Sequence, residues 1–224
     1  MDSLVLLSGG LDSAVLAAQE ARTHAVHPVY VAAGLAWEDG EHRIVQSLLD
    51  SAAFTTAPNR VFPLVRLEVG MHDVYPASHW ALRGTPPAYD TPDEDVYLHG
   101  RNIALLSKAA IYAATRKISR LVVASLAGNP FPDATAEFFS AFGKALSLGL
   151  AGPIHIGAPY SHLHKEDVVR IGAQLAMPFD LTLSCMNPSG ITHCGLCSKC
   201  RERRDAFAAA GVADPTTYAN RSPR

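Results

Sequence analysis

Cysteine is scarce in this 224-residue chain: there are four, Cys185, Cys194, Cys197 and Cys200, all near the end. Everything before Cys185 therefore lacks both a disulfide framework and a thiol nucleophile. An excess of charge of one sign is also missing. Lys and Arg number 19 against 21 Asp and Glu, a formal net charge of -2, which leaves no strong field for nucleic acid or an anionic membrane surface. No apolar run is long enough to span a bilayer, and the acidic start Met1-Asp2-Ser3 precedes only a short apolar stretch. The expectation is a cytoplasmic chain with no signal peptide and no nucleic-acid or membrane partner. Repeats and low-complexity tracts are absent as well. The basic residues Arg201, Arg203 and Arg204 read as a solvated helix face.

What is present is 48% hydrophobic residues, enough for a full core. Short β-rich runs at 4–7, 27–32, 60–69, 121–124 and 154–158 alternate with helical patterns at 11–21, 41–53, 102–117, 137–148 and 165–175. In the second helix Ile44, Val45, Leu48 and Leu49 face inward. This alternation predicts an α/β fold with a doubly wound parallel sheet. Residues 1–180 are expected to form the main domain and 181–224 a metal-binding module packed on it. The proline-rich stretch 70–99, without clear periodicity, reads as a lid or loop.

The turn Ser8-Gly9-Gly10-Leu11-Asp12-Ser13 joins the first strand to the first helix. Two glycines let the backbone approach a ligand closely, and the helix start adds unpaired N–H groups and a positive dipole end, which suits phosphate. The turn lacks the lysine of a Walker A loop and is not a G-x-G-x-x-G fingerprint. Ser8 and Ser13 are hydroxyl donors, and Asp12 is a candidate ligand for a magnesium ion bridging phosphates. A plain tight turn with Ser8 or Asp12 as helix cap is the alternative. In a doubly wound sheet, ligands collect beyond the carboxyl ends of the strands, so a phosphate-bearing ligand with Mg2+ belongs at this turn.

The cysteine spacing C-x8-C-x2-C-x2-C fits a closed tetrahedral site for structural Zn2+, with Gly195 in the knuckle. A disulfide is disfavoured in a reducing compartment, and an iron–sulfur cluster is the remaining rival. His193 is an alternative ligand or a neighbour of the site.

The turn resembles the PP-loop of the ATP pyrophosphatases, and further segments narrow the likeness. Gly100-Arg101-Asn102 with its following helix, Pro132-Asp133, the 159–165 loop and the tetracysteine tail stand in the order typical of the 7-cyano-7-deazaguanine synthase family, over nearly the whole chain. The resemblance implies the adenine nucleotide alpha hydrolase-like fold and nucleotide contacts along Leu7, Ser8, Gly9, Gly10, Leu11, Asp12, Ser13, Ala14, Val15 and Arg101. It implies catalytic roles for Asp12, Arg101 and Lys165, and substrate contacts from Asp133 and Asn102. It also implies a ligase of queuosine biosynthesis that adenylates 7-carboxy-7-deazaguanine and converts it with ammonia to a nitrile, releasing AMP and pyrophosphate. A homodimer is implied by the same analogy. From the residues alone, Arg101-Asn102 is equally a helix cap, and Lys165 equally a partner of Glu166 or Asp167. The chain departs from the family at Ala33-Gly34-Leu35, at 126–131 and at Ala134, where members carry other residues. The alternatives are a paralogue passing the acyl group to another amine, another PP-loop ligase or sulfur transferase, and a nucleotide-binding interaction domain without turnover.

Overall fold

The structure, a computed structural model, describes residues 1–221. Its strands are β1 (Asp2–Leu6), β2 (Ala25–Ala32), β3 (Arg60–Val61), β4 (Val65–Glu68), β5 (Arg120–Val122) and β6 (His155–Gly157). They form one sheet in the order β3, β2, β1, β5, β6, with β4 also on the outer edge of β2, and every pairing is parallel. The order reverses at β1, which lies between β2 and β5. The carboxyl ends of β1 and β5 therefore diverge around a crevice, the usual ligand position in such sheets.

The longer helices are α1 (Leu11–Ala21), α2 (Glu38–Leu49), α5 (Arg101–Thr115), α6 (Ala136–Gly149), α7 (Lys165–Gln174) and α8 (Ser198–Ala210), with short α3 (Ala52–Thr55) and α4 (Trp80–Arg83). Side-chain alternation along β1 sorts them into two layers. Val5 packs with residues of α1, α2, α7 and α8, whereas Leu4 packs with α5 and α6. The doubly wound prediction holds. Among the described residues, no helix is long and apolar enough to cross a membrane.

Three local expectations change. The strand expected at 60–69 is split into β3 and β4. Val26 and Ala32 of β2 accept bonds from Phe62 and Val69, so the polar groups of even-numbered β2 residues face this edge. Pro28 supplies no donor there, and Pro63 interrupts the neighbouring strand. The register shows the slip: Val61 pairs with Val26 but Val65 with Val29, four steps against three. The second helix begins at Glu38 rather than Glu41 and stops at Leu49, and a separate turn follows. Within 70–99, Met71, Tyr75, Ala81, Val96 and Leu98 are buried against Trp37, Leu183, Met186 and three of the cysteines, forming a third cluster at the end of β2.

The basic face of α8 is not solvated. Arg203 is fully buried. Its guanidinium donates to Thr216 Oγ1 at 2.6 Å, Thr182 Oγ1 at 2.9 Å, Ser184 Oγ at 3.1 Å and the Phe179 carbonyl at 2.8 Å, with Asp214 at 3.7 Å. Arg201 bonds the Thr91 carbonyl, and Arg204 bonds the Gly195 carbonyl. Removing Arg203 would take a buried charged donor from four acceptors at once and leave Asp214 without its cation. Arg203→Ala is predicted to lower unfolding stability by about 3–5 kcal/mol, the usual cost of breaking a buried charged network. Denaturant titration checks this, and a loss under about 1 kcal/mol, the surface-pair range, contradicts it.

Candidate active site and metal centre

The turn after β1 is built by its own hydroxyls. Ser13 Oγ donates to the Gly10 carbonyl at 3.1 Å and accepts the Ser8 N–H at 3.3 Å, while Ser8 Oγ accepts the Gly10 N–H at 3.2 Å. Gly9 has φ +80°, and a Cβ there would meet Ile44 Cγ2 at 3.1 Å. Only glycine suits both the left-handed backbone and that contact. Gly10 occupies the helix-cap position with no side-chain cap bond, so neither Ser8 nor Asp12 caps the helix. The first intrahelical bond runs from Ala14 N–H to the Gly10 carbonyl. The N–H groups of Leu11, Asp12 and Ser13 thus have no acceptor inside α1.

This turn forms one wall of a cavity of about 320 Å³, whose lining includes Tyr30, Glu41, Arg101, Asn102, Phe131 and Asp133. A wider cavity of about 600 Å³ shares Ser8, Gly10, Asp12, Glu41 and Arg101 and opens toward Lys165, Lys199 and Glu202. Leu7 and Leu11 reach these cavities, but Ala14 and Val15 do not. Both lie fully in the core, away from the expected nucleotide contacts.

Lys165, the first residue of α7, places its Nζ 3.1 Å from Asp12 Oδ2 and 2.7 Å from Glu202 Oε1. Neither Glu166 nor Asp167 takes it, and Asp167 pairs with Arg170. Glu202 also meets Lys199 at 2.8 Å, and Lys199 reaches Asp93 at 3.4 Å. The other Asp12 oxygen, Oδ1, is buried without a partner. Burial raises the Asp12 carboxyl above its usual range, only partly offset by Lys165.

Arg101 opens α5, and its Nε is buried and unpartnered. Asp133 is buried beside it. Its Oδ2 accepts the Asn102 backbone N–H and its Oδ1 the Asn102 side-chain amide, both at 3.2 Å. Burial raises the Asp133 carboxyl, while these bonds hold it down. Asp133, more than Arg101-Asn102, provides the capping bond at the start of α5.

Sequence reasoning missed Glu41, Glu202 and Lys199. Glu41 stands three and four residues before the inward-facing Ile44 and Val45, a helical spacing that puts it on the buried face. Lys199 and Glu202 stand at an i, i+3 spacing, which reads equally as a surface pair. At the departing segment after β2, Glu38 accepts the Ala33 and Gly34 N–H groups at 2.7 and 3.1 Å and fixes that loop.

The four cysteine sulfurs all lie within 4.8 Å of one another, placed for a metal ion. The Asn187 and Cys194 N–H groups point at Cys185 Sγ, and the Leu196 N–H at Cys194 Sγ. Gly195 has φ +82°, and a Cβ there would overlap the Asn220 carbonyl. None of the four is in a disulfide. His193 stays outside the cluster, its Nε2 accepting the Ser184 N–H at 3.0 Å.

Comparison with known proteins gives the same direction. A family model described as queuosine biosynthesis protein QueC matches residues 2–211. A 7-cyano-7-deazaguanine synthase of Porphyromonas gingivalis is 30% identical, covering 97% of both chains. The 7-cyano-7-deazaguanine synthase 1 of Mesorhizobium japonicum is 34% identical over 97% of this chain and 94% of that one. A synthase of the same name from Xanthomonas campestris pv. campestris is 34% identical over 97% of both. With a family match over almost its full length and relatives aligned nearly end to end, the chain belongs to the QueC family.

Proposed function

We propose that this protein is a 7-cyano-7-deazaguanine synthase, an ATP-dependent ligase that forms a carbon–nitrogen bond. One observation carries the reading: a phosphate-type turn, an arginine whose buried Nε has no partner and a buried carboxylate line the same cavity. In this account the carboxylate of 7-carboxy-7-deazaguanine attacks the α-phosphorus of ATP and pyrophosphate leaves. Ammonia then displaces AMP to give the amide. A second ATP adenylates the amide oxygen, and loss of AMP with that oxygen leaves the nitrile.

The free N–H groups at the start of α1 would hold the departing pyrophosphate, which needs positioning and charge neutralisation rather than a covalent nucleophile. The bare Asp12 Oδ1 fits a Mg2+ ion, which would supply further neutralisation of phosphate charge. Lys165, held by Asp12 and Glu202, would face the pyrophosphate, and Arg101 would bind the nucleotide or acyl phosphate through its fork of donors. Asp133 retains acceptor capacity beyond its bonds to Asn102 and would read the amino-pyrimidinone edge of the deazapurine. The stacked rings of Tyr97 and Phe131, 5.2 Å apart, stand in the same wall and suit a planar heterocycle.

Zinc fits the cysteine site. Four sulfurs around Zn2+ at about 2.3 Å stand about 3.8 Å apart in a tetrahedron; three of the six sulfur separations, 3.6, 3.9 and 4.0 Å, match that edge, and all six stay within 4.8 Å. They are too close to enclose a multi-iron cluster. With no open ligand position, the ion would be structural.

Two measurements test this account. Mass spectrometry of 7-carboxy-7-deazaguanine after incubation with ATP, magnesium and ammonium should show the nitrile. An amide-linked adduct would favour the paralogue suggested by Ala33-Gly34-Leu35 and 126–131, and an unchanged deazapurine would reject the substrate. Metal analysis should give one zinc per chain. Because Cys197 and Cys200 begin the helix that carries Lys199 and Glu202, chelation should lower both thermal stability and turnover. Full activity in a metal-free chain would contradict the assignment.

A further inference from the structure

The steps above leave Glu41 without a role, although it lies in both cavities. It is buried, and the Tyr30 hydroxyl donates to its Oε2 at 2.7 Å. Among the described residues no cation comes within ion-pair distance of it. The charged groups facing it are Arg101 from α5 and Glu38 from its own helix. It also borders the phosphate turn: a Cβ on Gly9 would lie 3.5 Å from the Glu41 carbonyl. A buried carboxylate with one hydrogen bond and no cation is an expensive arrangement for a purely structural residue. It is a fitting one for a group that receives a small cation.

We propose that Glu41 receives the ammonium ion and takes its proton as the nitrogen attacks the acyl-adenylate. This role rests on the reaction proposed above. Ammonium cannot attack because its lone pair holds a proton, and it sheds two protons in becoming an amide nitrogen. Glu41 takes the first and frees the pair that forms the C–N bond. The C–O bond to AMP then breaks with its electrons on the phosphate oxygen, which takes the second proton. The Tyr30 hydroxyl fixes one carboxylate oxygen, and the other remains for the nitrogen. Burial pushes the Glu41 carboxyl up to about 7, against the opposing pull of Arg101 and Tyr30, so it exchanges a proton at neutral pH.

The test separates adenylation from amination. Carboxylate-dependent exchange between ATP and labelled pyrophosphate reads the first, and amide formation with ammonium chloride reads the second. In Glu41→Gln the ratio of amide formation to exchange should fall about a hundredfold at neutral pH, the ordinary contribution of a positioned base. The residual rate should climb with pH in step with the free-ammonia fraction. Hydroxylamine, already neutral at that pH, should restore much of the ratio. The role is overturned if exchange and amide formation fall together, if hydroxylamine fails to rescue, or if the KM of the deazapurine rises while that of ammonium does not. Absence of exchange in the wild-type enzyme would overturn the reaction itself. If Glu41→Gln does not fold, Tyr30→Phe decides: loss of the hydroxyl should move the neutral-pH rise of amide formation to higher pH, and an unmoved profile contradicts the role.

Discussion

The ammonium of Lys165, held between Asp12 and Glu202, is the interaction on which the rest of the site depends. Its two contacts, 3.1 and 2.7 Å, join the glycine turn after β1, the start of α7 and the second turn of α8. Each of these charges would be costly alone in so enclosed a place, and each is retained because the next one compensates it. The two carboxylates raise the Lys165 pKa against the effect of burial, so it stays charged. They do not behave alike themselves. Burial opposes ionisation of Glu202, yet Lys165 and Lys199 bring it down to about 2. Asp12 has one lysine and a bare oxygen, and there burial prevails. The network therefore leaves its unmet demand for positive charge at the turn, where a phosphate-bound cation would supply it.

A consequence is that the cysteine site and the cavity are mechanically continuous. Cys197 caps α8, Cys200 lies in its first turn, and Glu202 follows two residues later in the cavity wall. The Leu183 N–H, just ahead of Cys185, donates to the Gly9 carbonyl at 2.9 Å and so braces the glycine turn. Lys199 reaches across to Asp93, tying the same helix to the 70–99 segment. A metal ion at the four sulfurs would hold the register of α8, and with it the position of the Lys165 pair.

The features legible in the sequence were local ones. The glycine turn, the first helix and the cysteine spacing each declare themselves within a few residues, because backbone geometry and metal coordination impose fixed spacings. What stayed hidden depends on partners far along the chain. Arg203 reads as a surface residue until Thr182, Ser184 and Thr216 converge on it. The pairing of Lys165 with Glu202 spans 37 positions, and near neighbours of opposite charge offered an easier reading. The split of the third strand required knowing that Pro28 and Pro63 meet on one sheet edge. Glu41 was the exception, since its spacing to Ile44 and Val45 already placed a carboxylate on a buried helix face.

The central claim is that this site splits ATP between its α and β phosphates to activate a carboxylate. Phosphorus NMR during turnover with magnesium, 7-carboxy-7-deazaguanine and ammonium tests it most directly. The account predicts AMP and pyrophosphate growing in equal amounts, with both dependent on the deazapurine. ADP and inorganic phosphate as the main products would contradict it.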